Sequence, residues 1–387
     1  MKASAFVYPW DVIGDPDAAR RIADLGVQQV TLASAYHSTR ALTPRHPRHR
    51  IVTARHAAVL YPPSPHRWSG RALRPYSQDW VPSADPYAEA ADALRAAGLS
   101  VHSWVVLAHN SRLGEEHPRT SVTNAYGDRY PWAPCIAQPE VRDYAVTLAA
   151  EAAVRPGADG TELESCGWYG FAHLHAHDKV GGVPLGPAAQ YLMSLCLCPA
   201  CAGGYAGLGL GAHELRDAVR AALAPVWAGE RVDGADEWAD IEKLLGAELA
   251  ARTLAWRTEV ARTFQRDVIR AVRDEALPGF QVLLHADPLP HRTGANVGVA
   301  AERLLAHADG VVTPAGPGLA AFAPHARPGT VLAANFQVVS GMGGAPRRLA
   351  ADAARAAALG ATELRLYHAG LAADTDLAAV WEALGAL

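Results

Sequence analysis

Glu162 and Glu164 stand two residues apart in the stretch 157–169, Gly-Ala-Asp-Gly-Thr-Glu-Leu-Glu-Ser-Cys-Gly-Trp-Tyr. In a strand, residues two apart point the same way, so both carboxylates share one face and Leu163 takes the other. A carboxylate at the end of such a strand is equipped for proton transfer or nucleophilic attack. A second acid, Asp287, follows the apolar run 281–285. Other apolar runs end in rings, amides and hydroxyls: Trp10 and Asp11, Tyr36 and His37, His109 and Asn110, His285, Thr313, Asn335 and Gln337, Tyr367 and His368, with Trp168 in the loop after Glu164. Aromatic faces can cover the apolar faces of sugars, while amides and carboxylates bind hydroxyls.

Glu164 and Asp287 are therefore the expected catalytic pair, and the remaining tips are the expected substrate contacts. Neighbouring strands lie ~4.8 Å apart, close to the roughly 5–5.5 Å between the carboxyls of a retaining glycosidase. Glu162 lies one layer deeper. It is either a further substrate contact or half of a lumen charge pair with Arg365, since buried charges are normally paired.

Cys196, Cys198 and Cys201 form C-x-C-x-x-C. Thiolates this closely spaced can share one tetrahedral zinc if a fourth ligand joins them. Cys166, Cys135 and the insertion histidines are the candidates, with Cys166 the expected one; three free buried thiols are the alternative. His173, His175 and His177 alternate and read as a solvated loop. Arg40, Arg45, Arg48 and Arg50, interleaved with His46 and His49, read as a solvated or subunit-facing loop, with an anion clamp as the other option.

The elements that must position these groups alternate. Strand-like runs at 4–8, 29–34, 101–107, the stretch around Glu164, 281–285, 310–313, 331–336 and 363–367 are separated by helix-like runs. Those helices are expected at 15–25, 86–97, 139–154, 297–306, 346–359 and 376–384. Eight strands with crossovers this long predict a parallel sheet closed on itself, a (β/α)8 barrel spanning 1–387. An insertion at 167–278 carries the cysteines and one long helix at 235–276. No Gly-x-Gly-x-x-Gly follows the first strand, which counts against a doubly wound dinucleotide-binding sheet.

Composition agrees with a globular enzyme. Half of the 387 residues are hydrophobic and the formal net charge is −4, which gives no global pull toward nucleic acid or a membrane surface. The amino terminus has one lysine and no long apolar core, so no signal peptide is expected. No apolar run reaches about 18 residues, so no membrane helix is expected either. Five cysteines in a chain of this length do not suggest a disulfide framework. A cytoplasmic location is the resulting default.

Four passages carry a family resemblance, two of them at the candidate site and the cysteine cluster. The segment Asp159-Gly160-Thr161-Glu162-Leu163-Glu164 resembles the strand-four D-G-x-x-x-D/E passage of glycoside-hydrolase-like TIM barrels. The segment 194–205 is similar to the C-x-C-x-x-C insertion of family 42 β-galactosidases, where such cysteines hold a structural zinc. The helix start Pro139-Glu140-Val141-Arg142-Asp143-Tyr144, and the helix running into a strand over 85–105, are likewise similar to passages of glycosidases. The resemblance implies that Glu164 takes the strand-four catalytic position, that one structural zinc is bound and that no organic cofactor is needed. The chain departs from the family 42 pattern in having Ser165 after Glu164, and Asn335 and Gln337 on strand seven, which removes the strand-seven glutamate nucleophile.

The expected function is a retaining glycoside hydrolase acting on a small carbohydrate. The alternatives are a metal-dependent sugar isomerase or epimerase using Glu164, His285 and Asp287, and a sugar-binding barrel without catalysis. The basic loop and the long insertion helix are candidate contacts for a homo-oligomer.

Overall fold

The computed structural model describes residues 1–171, 178–232 and 234–387. Eight parallel strands form one closed sheet: β1 (Lys2–Val7), β2 (Gln29–Tyr36), β3 (Ser100–Val106), β4 (Gly160–Glu164), β5 (Gln281–His285), β6 (Gly310–Pro314), β7 (Val331–Gln337) and β8 (Glu363–Tyr367). Each pairs with its sequence neighbours, and β1 closes the ring through Ser4↔Arg365 on β8 and Ser4↔Gln29 on β2. The chain is a (β/α)8 barrel, as the alternation of strand-like and helix-like runs predicts.

The strands form where apolar and β-branched runs are buried on both faces, as a parallel sheet covered by helices requires. All eight residues of β2 are buried. Along each strand alternate side chains enter the lumen. One side of the lumen is an apolar packing of Leu283, Val312, Val331 and Ala333. The other is polar, with Ser4, Thr31, His102, Glu162 and Arg365, and this asymmetry sets the character of the site above it.

The helices depart from expectation where glycine or proline intervenes. The long insertion helix is two helices, Glu237–Leu245 and Ala247–Glu275, split at Gly246, whose φ of 86° a side chain would resist. The first crossover helix is only Ala18–Ala23, because Asp15 turns back to accept the Asp17 N–H and pair with Arg21 instead of capping. The 297–306 run narrows to Ala301–Leu304, and 346–359 begins as a 3-10 turn, Pro346–Arg348, before the helix Leu349–Ala358.

The helix Ala247–Glu275 buries Val260, Phe264, Val268, Ile269 and Val272. It packs on Pro139–Ala153, where Arg142 meets Asp267 at 2.5 Å. The basic loop is a hairpin, Thr39–Leu42 against Ile51–Ala54, not foreseen as such. Ala58–Val59 adds an antiparallel piece to the end of β2. No helix among the described residues is long and apolar enough to cross a membrane.

Candidate active site

The two glutamates of β4 occupy successive layers. Glu162 has no exposed surface and faces Arg365, with Nε 2.5 Å from Oε1. Thr31 donates to the same oxygen at 3.1 Å, and His285 Nε2 stands 3.4 Å from the other. Arg365 also reaches Glu363 at 2.8 Å. Burial alone would raise the Glu162 pKa, but the Arg365 guanidinium, with His285 and His102 beside it, outweighs burial and holds the carboxyl at about 2. His102, 3.9 Å from Glu162, is pushed down to about 3 by burial. The lumen pair is thus present, and Glu162 forms a fully buried floor beneath Glu164.

Glu164 emerges one layer higher and is half-buried. Its Oε2 accepts the Trp104 indole N–H at 2.6 Å, a bond set by the strand register, since Trp104 pairs with Glu162 and so stands beside the same strand end. Three tyrosines surround the carboxylate closely enough to feel its charge: Tyr36, Tyr169 and Tyr367. Burial first, then neighbours that include Glu164, push all three hydroxyls upward and keep them neutral donors. Tyr36 bonds the Tyr8 hydroxyl at 3.0 Å and approaches Tyr367 at 3.4 Å. Phe6 packs edge-on to Trp104 with centroids 4.7 Å apart.

The loop beyond Glu164 is held tightly. Ser165 has φ 63°, a left-handed conformation that is uncommon outside glycine. Asn296 stabilises it by accepting the Ser165 N–H at 3.0 Å. Gly167 is required one turn later, because a Cβ there would lie 2.6 Å from the Val297 carbonyl oxygen. Tyr169 then bridges Ser165 and His109, at 3.4 and 3.3 Å. His109 faces His37, which stacks on Tyr36 at 4.1 Å, so these rings line one side of the mouth. Neither Trp104 nor Asn296 was foreseen. Trp104 was legible only as a lumen-facing position in β3, and Asn296 lies in a loop without any pattern.

The other expected site residues make the following contacts. Asp287 begins a turn, with Oδ1 accepting the Leu289 N–H at 2.9 Å and Oδ2 3.5 Å from Arg292, and it is half-buried. Asn110 caps the helix Ser111–Glu116 through the Leu113 N–H. Trp168 is buried and donates to the Arg257 carbonyl at 2.9 Å. Asp11 is buried beneath Gly370 and accepts the Tyr8 N–H at 2.8 Å, and burial raises its pKa to about 7 against that bond and Arg45. His368 is fully buried, accepts the Gly370 N–H, stacks on Tyr8 and is pushed down to about 3 by burial. Trp10 is buried and stacks on Tyr8 at 4.4 Å. Glu162, Asp11, Asn110, Trp168 and His368, expected as substrate contacts, are all buried, with the bonds given above made inside the protein. Thr313 is also buried. Asn335, Gln337, Tyr367 and His37 remain half-exposed at strand ends.

The cysteines gather with one exchange of partner. Cys135, Cys196, Cys198 and Cys201 are all buried, with ligand atoms within 4.8 Å of one another. Cys135 Sγ lies 3.7 Å from Cys198 and 3.6 Å from Cys201. A tetrahedral zinc with sulfurs ~2.3 Å away places them about 3.8 Å apart, so the set fits such an ion. Cys166, expected as the fourth ligand, instead sits at the barrel mouth with its sulfur 3.9 Å from the Glu164 carbonyl. Cys135 takes its place because the hairpin of Ser121–Thr123 and Arg129–Pro134 delivers it, tied to the insertion by Leu197 N–H on Thr123 O at 2.7 Å. His173, His175 and His177 lie outside the described residues. Glu164, His285 and Asp287 form no comparable cluster among the described residues, and His285 Nε2 faces Glu162.

No protein-family model matches the chain, and no curated protein matches it in sequence. Solved structures do match in fold. The glycoside hydrolase domain of PgaB (BpsB) from Bordetella bronchiseptica superposes with a TM-score of 0.58 at 14% identity, covering 99% of both chains. The catalytic domain of β-amylase from Paenibacillus polymyxa gives 0.56 at 12%, covering 98% of this chain and 97% of that one. A catalytic mutant of Gan42B, a GH42 β-galactosidase from G. stearothermophilus, gives 0.55 at 13%, with all of this chain covering 56% of the other. The chain is a glycoside-hydrolase-like TIM barrel in fold; against the galactosidase it spans little more than half the length.

Proposed function

From a glycoside-hydrolase-like barrel whose mouth holds a half-exposed glutamate among aromatic rings, we propose that this protein hydrolyses the glycosidic bond of a small carbohydrate, with retention. The observation that carries the reading is Glu164. One of its oxygens is fixed by the Trp104 N–H, and the other has no hydrogen-bond partner among the described residues and is available to an anomeric carbon. In this reading Glu164 attacks that carbon while Asp287, on the neighbouring strand end, protonates the departing glycosidic oxygen. Water then attacks the glycosyl ester, giving its proton back to Asp287 and releasing Glu164. Tyr36, Tyr169 and Tyr367 supply ring faces and neutral hydroxyl donors for the sugar.

The four thiols would hold one structural zinc. With all four positions filled by sulfur, such an ion has no vacancy for water and serves to tie the hairpin at 121–134 to the insertion. The test of function is release of the aryl group from a panel of aryl glycosides, with and without chelator. Turnover that persists when no metal is exchangeable supports the carboxylate mechanism; turnover that needs added Mn²⁺ or Mg²⁺ refutes it.

A second reading, sugar binding without catalysis, is favoured by one observation. Asp287 is engaged by Leu289 and Arg292, and strand seven offers Asn335 and Gln337 in place of an acid. It predicts sugar binding with no turnover on any member of the panel.

A further inference from the structure

The proline-rich basic loop takes no part in the mechanism above, and its arginines have divided duties. Arg45 donates to the Ala369 carbonyl at 3.0 Å. Arg50 donates to the carbonyls of His46 and His49. These two fix the loop. His46 is buried, pairs with the Ile13 carbonyl at 3.0 Å and stacks on His49 with centroids 3.6 Å apart.

Arg48 is different. Its side chain crosses Gly14, where a Cβ would come within 3.4 Å of its Cδ and Nη1. Among the described residues its guanidinium has neither hydrogen bond nor ion pair. It lines an open cavity of about 440 Å³ together with His49, Trp10, Trp80, Thr53 and Glu89. Trp10 is only 2% exposed, yet its indole Nε1 has no acceptor. Trp80 Nε1 is also buried without a partner. Buried donors without acceptors are costly. The cavity therefore combines a free cation, orphaned N–H groups and two indole rings, opposed by a single acid, Glu89.

The cavity shares a wall with the mouth. Trp10 stacks on Tyr8, and the Tyr8 hydroxyl bonds Tyr36, which stands in the field of Glu164. We propose that this cavity is a subsite for an anionic substituent on the sugar, a carboxylate, sulfate or phosphate, bound by Arg48. An anionic group supplies the acceptors that the cavity lacks, and a guanidinium fork matches each of the three geometrically. The partly exposed Trp80 indole covers the ring that carries the charge. The assignment to substrate rests on the glycoside reading of the mouth; the anion site itself does not.

The test is calorimetric titration of the full chain carrying Glu164→Gln, which suppresses turnover. The probes are glucose, glucuronate, glucose 6-sulfate, glucose 6-phosphate and inorganic phosphate. At least one charged sugar should bind about tenfold or more tightly than glucose, and the strongest arm identifies the anion. Adding Arg48→Gln, at an exposed position, should erase that preference while leaving glucose binding unchanged. Adding Glu89→Gln should enlarge it by removing the opposing charge. Equal binding of charged and neutral sugars, or a preference that survives Arg48→Gln, overturns the proposal. Tight binding of phosphate alone, with no gain for any charged sugar, also overturns it as a sugar subsite. Because no turnover is read, a preference for charged sugar in a protein inactive on every aryl glycoside would refute the hydrolase and leave the subsite standing.

Discussion

Glu162 and Glu164 differ by one turn of the pleat and by everything around them. Glu162 meets a guanidinium, a threonine hydroxyl and two imidazoles in a layer with no exposed surface. Glu164 meets one indole N–H and a ring of tyrosines, with its second oxygen unbonded among the described residues. The residue type and strand are the same, so the neighbours on β2, β3, β5 and β8 make the difference between a carboxylate locked in a charge network and one that is half-exposed.

The sharpest way to break this contrast is to remove the floor. Glu162→Ala leaves the buried Arg365 with Glu363 as its one remaining carboxylate, which should cost about 3 kcal/mol of folding stability, the low end for breaking a buried pair. Denaturant unfolding measures it, and a loss below about 1 kcal/mol would mean that the floor is not a charge pair. Next in size, Cys135→Ser should remove one equivalent of bound zinc per chain and lower the melting temperature by about 5 °C or more. Cys166→Ser should leave the metal content unchanged. Elemental analysis and thermal melts read both variants.

Acid provides a third handle. Glu162 titrates at about 2 when folded, below its ordinary value, so its stabilisation is complete above pH 4.5 and is lost as pH falls toward 2. His102 titrates at about 3 when folded, so below pH 6.5 the unfolded chain takes up the proton first and stability falls as pH drops. His368 acts in the same sense. Asp11, raised to about 7, acts in the opposite sense between pH 7 and 3.8. Comparing wild type with His102→Asn isolates one member of the floor: the variant should lose about 1 kcal/mol less per pH unit between pH 6 and 4. Equal slopes would place His102 outside the linkage. The smallest effect is on the mouth, where Trp104→Phe keeps a ring but removes the donor to Glu164. Turnover on the best aryl glycoside should fall about tenfold, the share of one charge-assisted hydrogen bond.

The barrel was legible because its signal is repeated. Eight buried strands, each bounded by turn residues, leave few other closed arrangements. Glu164 was legible because period-two spacing in a short strand fixes the side that it faces. The pairing of Glu162 with Arg365 could be anticipated from the cost of a lone buried charge. What escaped depends on long loops. Nothing in the spacing of Cys135 foretells that a hairpin carries it 63 residues in sequence to Cys198. Asn110, Asp11 and Trp168 have site-like chemistry at site-like positions, yet each is used by local backbone: a helix cap, the Tyr8 N–H and a carbonyl of the long insertion helix. Gly246 carried a usable signal, because a glycine inside an otherwise continuous helical pattern marks a break.

The measurement that reaches the central claim most directly is the rate of glycoside cleavage by Glu164→Gln, taken with its affinity for the same sugar. The account predicts a fall in kcat of roughly a thousandfold, within the range for a carboxylate acting on the reacting bond, with sugar affinity and melting temperature little changed. A kcat within a few-fold of wild type, in a folded variant that binds sugar, would contradict it.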